Sequence, residues 1–272
     1  MPFFEHLAEL RRRLLIIVVT IGALALVGYF FSGLFLDVVM SPIRHVLPGM
    51  KDFVFLKPMD PMVMRFQAGL YMALIVGSPI IIWQVGAFFL PALKPKERRY
   101  VVPTFIAAVV FFLLGVAFTY FVILQPAFQW LFSQAPVGFT TVPQANENFN
   151  LAMLLMLIFG LAFELPVIVF YLILFNVIPY DKLKKNRLII WFGLICVGVF
   201  VTPDWSLVTM GGLAVSLVVL FEASMLFARI VLRKRIKAER LAEAGGESED
   251  ENEDEDEDGT GTAGDGAATA TD

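Results

Sequence analysis

Histidine and cysteine are nearly missing from this 272-residue chain, which has two of the first and one of the second. His6 and His45 fall in aqueous regions on opposite sides of the expected membrane, so no embedded Ser-His dyad can form. Cys196 lies inside an apolar run, which rules out an intramolecular disulfide, and no Cys/His cluster is available to bind a metal. Gly-x-Ser-x-Gly, His-Glu-x-x-His and the P-loop are all missing. No covalent chemistry, cofactor or nucleic-acid partner is therefore expected. Period-2 alternation is absent from the apolar runs, which excludes the strands of a membrane barrel. Basic residues are absent from 127–148 and 203–205.

What is present is hydrophobic length. Apolar runs occupy roughly 14–36, 62–90, 100–126, 149–175, 188–202 and 206–228. A helix of about 20 apolar residues crosses a hydrocarbon core of about 30 Å, and only helices or closed barrels hide their backbone polar groups in lipid. The sequence therefore predicts an all-α integral membrane protein with six spans, 14–228, between a segment 1–13 and a tail 229–272. The apolar run behind Arg11–Arg13 is too long for a signal peptide and lacks a small-residue cleavage site, so it reads as an uncleaved first span.

Charge sets the orientation. Arg11, Arg12 and Arg13, the loops containing 94–99 and 182–187, and the segment 229–240 hold 17 of the 21 Lys and Arg residues. All four lie on one side if the six runs cross in turn. The other side has only Arg44, Lys51, Lys57 and Arg65. The positive-inside rule places both termini in the cytoplasm. The formal net charge of −4 hides an uneven division, with +9 over residues 1–238 and −13 over 239–272. The tail from Glu247 to Asp258 is nearly all acidic and too polar to bury a core, so it is expected to be disordered. It reads as a solvating tail or as a docking tail for a basic partner.

Local patterns refine the picture. Leu7, Leu10 and Leu14 share a helical face and Glu9 stands four residues before Arg13, so this segment is expected to lie on the interface and turn into the membrane. The first outer loop, 37–60, is rich in Pro and Met and suits a structured cap; the second, 127–148, carries Trp130, Phe132 and Phe139. Pro79 and Pro166 should bend spans two and four. Spans five (188–202) and six (207–221, before Glu222) each count 15 residues, or about 22 Å, short of a full crossing.

Three carboxylates stand out. Glu164 lies mid-span, where a charge costs about 3 kcal/mol or more, so it must face a cavity, meet a polar partner such as Gln84, or carry a proton. Glu97 sits among Lys94, Lys96, Arg98 and Arg99, and Glu9 precedes Arg13. Each is either a surface salt bridge, worth under about 1 kcal/mol, or a receptor for a cationic peptide. A guanidinium forks onto a carboxylate, while anionic lipid headgroups are repelled by it.

These motifs resemble the TatC family, the multispanning subunit of the twin-arginine protein translocase. His6-Leu7-Ala8-Glu9-Leu10-Arg11-Arg12-Arg13-Leu14 is similar to the family's His-Leu-x-Glu-Leu-Arg-x-Arg-Leu. Pro42, Ser78-Pro79, Gln84-Val85-Gly86-Ala87-Phe88, Pro91-Ala92-Leu93, Glu97-Arg98-Arg99, Phe118-Thr119-Tyr120-Phe121 and Phe163-Glu164-Leu165-Pro166 fall where the family has its motifs. The resemblance runs over about residues 4–230.

The resemblance implies a concave, glove-shaped bundle with short fifth and sixth spans in the cytoplasmic (inner) membrane. It implies that Glu9, Arg11, Glu97 and Arg99 bind the twin-arginine signal peptides of folded precursor proteins. Gln84, Phe88 and Glu164 would form an intramembrane polar face. Pro42, Pro79, Tyr120, Thr202 and Asp204 would serve structure or the docking of single-span subunits of the TatA/TatB type. Other copies of the chain and membrane lipids complete the implied partners, and a proton-motive source would supply the energy. Two features depart from the family: Thr202-Pro203-Asp204-Trp205 replaces Thr-Pro-Pro-Asp, and Ser216 stands where proline is frequent.

Two other readings of the residues remain at this stage. One is a secondary transporter with Glu164 as proton relay and Pro79 and Pro166 as hinges, although no repeat links spans 1–3 with 4–6. The other is a passive membrane scaffold.

Overall fold

The computed structural model describes residues 3–46, 53–89, 101–136, 142–174, 177–203 and 206–231. Its elements are helices α1 (Phe3–Phe30), α2 (Ser32–Arg44), α3 (Asp60–Phe89), α4 (Val101–Phe118), a π-helical turn (Thr119–Ile123), α5 (Leu124–Ser133), α6 (Ala145–Ala162), α7 (Leu165–Leu174), α8 (Tyr180–Lys185), α9 (Arg187–Val201) and α10 (Leu207–Val231). Among the described residues, five stretches are long and apolar enough to cross a membrane: Leu7–Phe30, Asp60–Phe88, Val102–Ser133, Ala145–Leu174 and Leu207–Val231. The sixth apolar helix, α9, has 15 residues and spans about 22 Å. The chain divides into two compact units, Met1–Met225 and Leu226–Asp272; of the second, only 226–231 are described.

Several expected boundaries are corrected. The N-terminal amphipathic segment does not turn into the first span, because α1 runs unbroken from Phe3 to Phe30 with no Pro or Gly before Gly22 to interrupt it. The first span ends at Phe30 rather than at 36, for Ser32 Oγ donates to the Tyr29 carbonyl at 2.7 Å and the chain restarts as α2. Span three extends past 126 to Ser133, taking in Trp130 and Phe132 from the expected loop. Span six is not short. It passes through Glu222 to Val231, 25 residues or about 37 Å.

Residues 37–44 of the expected first loop are helical, as part of α2. Helix α2 buries Val39, Met40 and Ile43 in a core shared with Met64 and Ala68 of α3, Phe112 of α4, Phe128 of α5 and Phe149 and Met153 of α6. Val54 pairs with Gln144 in a parallel bridge. Its N–H donates to the Pro143 carbonyl at 3.1 Å, and its carbonyl accepts from the Ala145 N–H at 3.1 Å. The segment before α3 and the segment before α6 are thus joined by backbone.

Helices α1 and α3 pack with their backbones touching. A Cβ on Gly69 would stand 2.7 Å from the Ala25 carbonyl oxygen, and one on Gly28 would stand 2.9 Å from that of Gly69. Small residues permit this close approach, the usual means by which membrane helices gain packing where no hydrophobic effect drives them together. The contact fixes α1 against α3 and so sets where Glu9 and Arg13 meet the far end of α3.

Candidate functional site

At the basic end of the helices, α1 places Glu9 and Arg13 one turn apart. Arg13 Nη2 donates to Glu9 Oε1, while Nη1 reaches the Gln84 main-chain oxygen at 3.5 Å, a long contact. Both side chains are half-buried. Glu9 is thus engaged by one guanidinium while a carboxylate has room for more donors. Arg11, two residues from each of them, is exposed on the opposite face of α1. Glu97 and Arg99 lie outside the described residues.

Glu164 sits in a break in span four. Helix α6 ends at Ala162, four residues before Pro166, because a continued helix would drive the proline ring into the Ala162 carbonyl and lose one hydrogen bond. The chain turns through Phe163 and Glu164, and the Glu164 carbonyl then accepts from the N–H groups of Val167 and Ile168 at 3.0 Å to start α7. The bend expected at Pro166 is therefore a full interruption, whereas Pro79 stays inside the unbroken α3. Among the described residues, Glu164 Oε1 is shielded from solvent and has no hydrogen-bond partner. The internal bond to Gln84 that the sequence allowed is not formed through this oxygen. Gln84 instead belongs, through its backbone, to the Glu9–Arg13 cluster. Phe163, beside the carboxylate, lies with its ring 5.5 Å from that of Phe118.

The remaining candidates are structural in their contacts. Tyr120 lies in the π turn, and its hydroxyl donates to the Val38 carbonyl of α2 at 2.9 Å. The turn arises where the Leu124 N–H bonds back to Thr119, five residues away, just ahead of Pro126, which has no N–H to offer. Pro42 lies in the last turn of α2 and is half-buried. Thr202 caps α9 in extended backbone, its hydroxyl donating to Val199 at 3.2 Å. Phe88 is half-buried near the end of α3. Asp204 lies outside the described residues.

The model of the family described as Sec-independent protein translocase protein (TatC) matches residues 5–216. This chain belongs to the TatC family. TatC of Escherichia coli (strain K12) is 31% identical over 247 residues, covering 91% of this chain and 95% of that protein. TatC of Carboxydothermus hydrogenoformans is 28% identical over 240 residues, covering 88% of this chain and 98% of the relative. A solved structure described as the twin arginine translocase receptor TatC in DDM superposes with a TM-score of 0.71 at 26% identity, over 82% of this chain and 99% of that one. Membership makes the chain a multi-pass membrane component of a protein translocase, in a transport family rather than an enzyme family.

Two contacts within this TatC-family bundle escaped sequence reasoning. Trp191 Nε1 of α9 donates to Glu222 Oε1 of α10 at 2.9 Å, and the Arg187 guanidinium lies 5.8 Å from the centre of the same indole. Glu222 was legible only as an interruption of span six. A mid-span carboxylate asks for a donor, and Trp191 is the one tryptophan between 188 and 202. Below this bond, a Cβ on Gly198 would fall 2.8 Å from the Ala214 backbone, so α9 lies directly on α10. The second contact joins α3 to α6, where the Tyr71 hydroxyl donates to Asn150 Oδ1 at 2.6 Å.

Proposed function

We propose that this chain is the receptor subunit of a twin-arginine translocase, binding the signal peptides of folded precursors and recruiting single-span partner subunits of the TatA/TatB type. The observation that carries the reading is the unpartnered, shielded carboxylate oxygen of Glu164 at the break in span four. A buried carboxylate left without a donor is costly, so a spanning helix retains one where something outside the chain supplies the donor. In this reading Glu9, Arg11, Glu97 and Arg99 hold the arginine pair at the cytoplasmic face. The signal's apolar segment then inserts towards Glu164, with Gln84 and Phe88 on its path.

Further features support the arrangement. Helix α9 is nearly bare, with Leu188, Ile189, Phe192 and Phe200 each at least 70% exposed, which suits the docking of partner helices near Thr202 and Asp204. We take α9 as a short fifth span, so that six crossings leave both termini on one side; the distribution of basic residues supports the cytoplasmic side, and the family resemblance supports the inner membrane. Energy comes from the proton-motive force, and further copies of the chain take part in the complex. The break in span four also suits a transporter hinge, but α3 continues as helix through its own proline and offers no matching second break.

Crosslinking of a signal peptide to the protein in membranes tests the reading. An Arg-Arg signal should crosslink and its Lys-Lys variant should not, and Glu97→Ala or Glu9→Ala should reduce the yield about tenfold. Equal crosslinking of both peptides to all three proteins would return these carboxylates to the role of surface salt bridges.

A further inference from the structure

The corner where α8 meets α9 carries a dense positive charge that the chain does not neutralise. Of the six residues from Lys182 to Arg187, four are basic: Lys182, Lys184, Lys185 and Arg187. All four are exposed, and among the described residues none of them is in an ion pair. The acid beside them, Asp181, is half-buried and already engaged. Helix α8 is anchored by Tyr180 and Leu183, each 7% exposed, which leaves its lysines facing outward. Arg187 opens α9, with its guanidinium 5.8 Å from the centre of the Trp191 ring, and that indole is itself fixed by its bond to Glu222.

Directly after these cations the surface turns apolar. Leu188, Ile189 and Phe192 are each at least 70% exposed, and Ile195 is 44% exposed. At about 100° per residue, the four fall within roughly a third of the circumference of α9, so they form one stripe. From Arg187 to Ile195 that stripe runs about 12 Å. Half of a hydrocarbon core of about 30 Å is about 15 Å, so the stripe has the depth of one leaflet.

We propose that this corner binds one anionic phospholipid, its phosphate on the α8–α9 cations and an acyl chain along the stripe below them. Charge selects the headgroup. A zwitterionic lipid brings its own cation, whereas an anionic one offers net negative charge to a cluster with no free acid beside it. The adjoining stripe selects a lipid over a soluble anion, since only a lipid covers cations and bare hydrocarbon together. Lysine and arginine stems also suit this boundary, lying along apolar surface with their heads at the headgroups. The same charge repels the cationic end of a signal peptide. The inference rests on α9 lying in the membrane as a short fifth span, and on nothing in the signal-peptide reading. The outer half of α9, with Phe200 and Thr202, stays open to partner helices.

The test uses the full chain with Trp83→Phe, Trp130→Phe and Trp205→Phe, which leaves Trp191 as the sole tryptophan and keeps its bond to Glu222. In phosphatidylcholine vesicles, lipids brominated on the acyl chain quench the indole on contact. Brominated phosphatidylglycerol should reach half-maximal quenching at a mole fraction at least threefold below that of brominated phosphatidylcholine. Lys182→Gln, Lys184→Gln and Lys185→Gln together should cut this preference to less than about 1.5-fold. Arg44→Gln, Lys57→Gln and Arg65→Gln together remove as much charge at the opposite end of the helices and should leave it unchanged. At equal ionic strength, inorganic phosphate should lower the preference no more than chloride does. Should the single-tryptophan protein fail to fold, native mass spectrometry of the unaltered protein replaces it: one phosphatidylglycerol should survive activation that strips phosphatidylcholine, and the lysine variant should lose both. Equal half-points, a preference that survives in the lysine variant, or one abolished by inorganic phosphate would overturn the proposal while leaving α9 in the membrane. No quenching by either lipid would overturn it together with the reading of α9 as a span.

Discussion

Glu164 and Glu222 are both carboxylates inside spanning helices, and the chain treats them in opposite ways. Glu222 sits within an uninterrupted α10 and accepts a hydrogen bond from Trp191 at 2.9 Å. Glu164 sits where α6 gives way to α7, and its Oε1 has no partner among the described residues. A third carboxylate, Glu9, is paired with Arg13 near the aqueous end, where being unpaired would cost least. The expense of an unmet carboxylate is greatest in hydrocarbon, yet the one left open is a mid-membrane one. Glu222 and Glu9 are explained by contacts inside the chain; Glu164 asks for a contact from outside it.

Transport should separate the two mid-span residues most sharply. Glu164→Ala is expected to cut export of a twin-arginine precursor tenfold or more, while Glu222→Gln, which keeps an acceptor for the indole, should stay within threefold of the unaltered protein. Comparable losses in both, measured at equal protein levels, would break the contrast.

Stability should separate them with reversed signs. Glu222→Leu strands the Trp191 N–H and should destabilise the protein by about 1–3 kcal/mol, the cost of a buried polar group left unmet. Glu164→Leu removes an unmet group and should be neutral or stabilising by about 1 kcal/mol. Thermal unfolding in detergent reads both. A Trp191→Phe, Glu222→Leu double-mutant cycle should return a coupling of about 1 kcal/mol, while Trp191→Phe with Glu164→Leu should be additive. The smallest effect belongs to the aqueous end: Arg13→Gln should change stability by less than about 1 kcal/mol. A much larger change would mean that the contact with Gln84 anchors α1 as well.

Much of this was legible in the sequence because membrane burial writes long, coarse signals. The apolar runs overlap the five described stretches long enough to cross a membrane, and the cost of a mid-span charge singles out Glu164. The break beside it follows from Pro166 acting on the residue four places earlier. The same rule does not hold for Pro79, whose helix continues, so a proline alone does not decide between a break and a helix that goes on. Ends were harder to read. Hydropathy is continuous through Phe31 and Ser32, and the start of α2 depends on a Ser32 hydroxyl bond and on core contacts of Val39, Met40 and Ile43. Pairings between distant spans, Trp191 with Glu222 and Tyr71 with Asn150, leave no local periodicity to detect. Of the candidate site, Glu9 lies beside Gln84 through Arg13, while Glu97, Arg99 and Asp204 lie outside the described residues.

The most direct measurement places a photocrosslinking amino acid at Leu161, which is 66% exposed and stands one turn before Glu164, and adds a radiolabelled twin-arginine signal peptide. If Glu164 is held open for an incoming chain, the peptide's apolar segment should crosslink at Leu161. The yield should collapse in Glu164→Ala and persist in Glu222→Gln. Crosslinking that ignores Glu164→Ala, or that falls equally in both variants, would contradict the account.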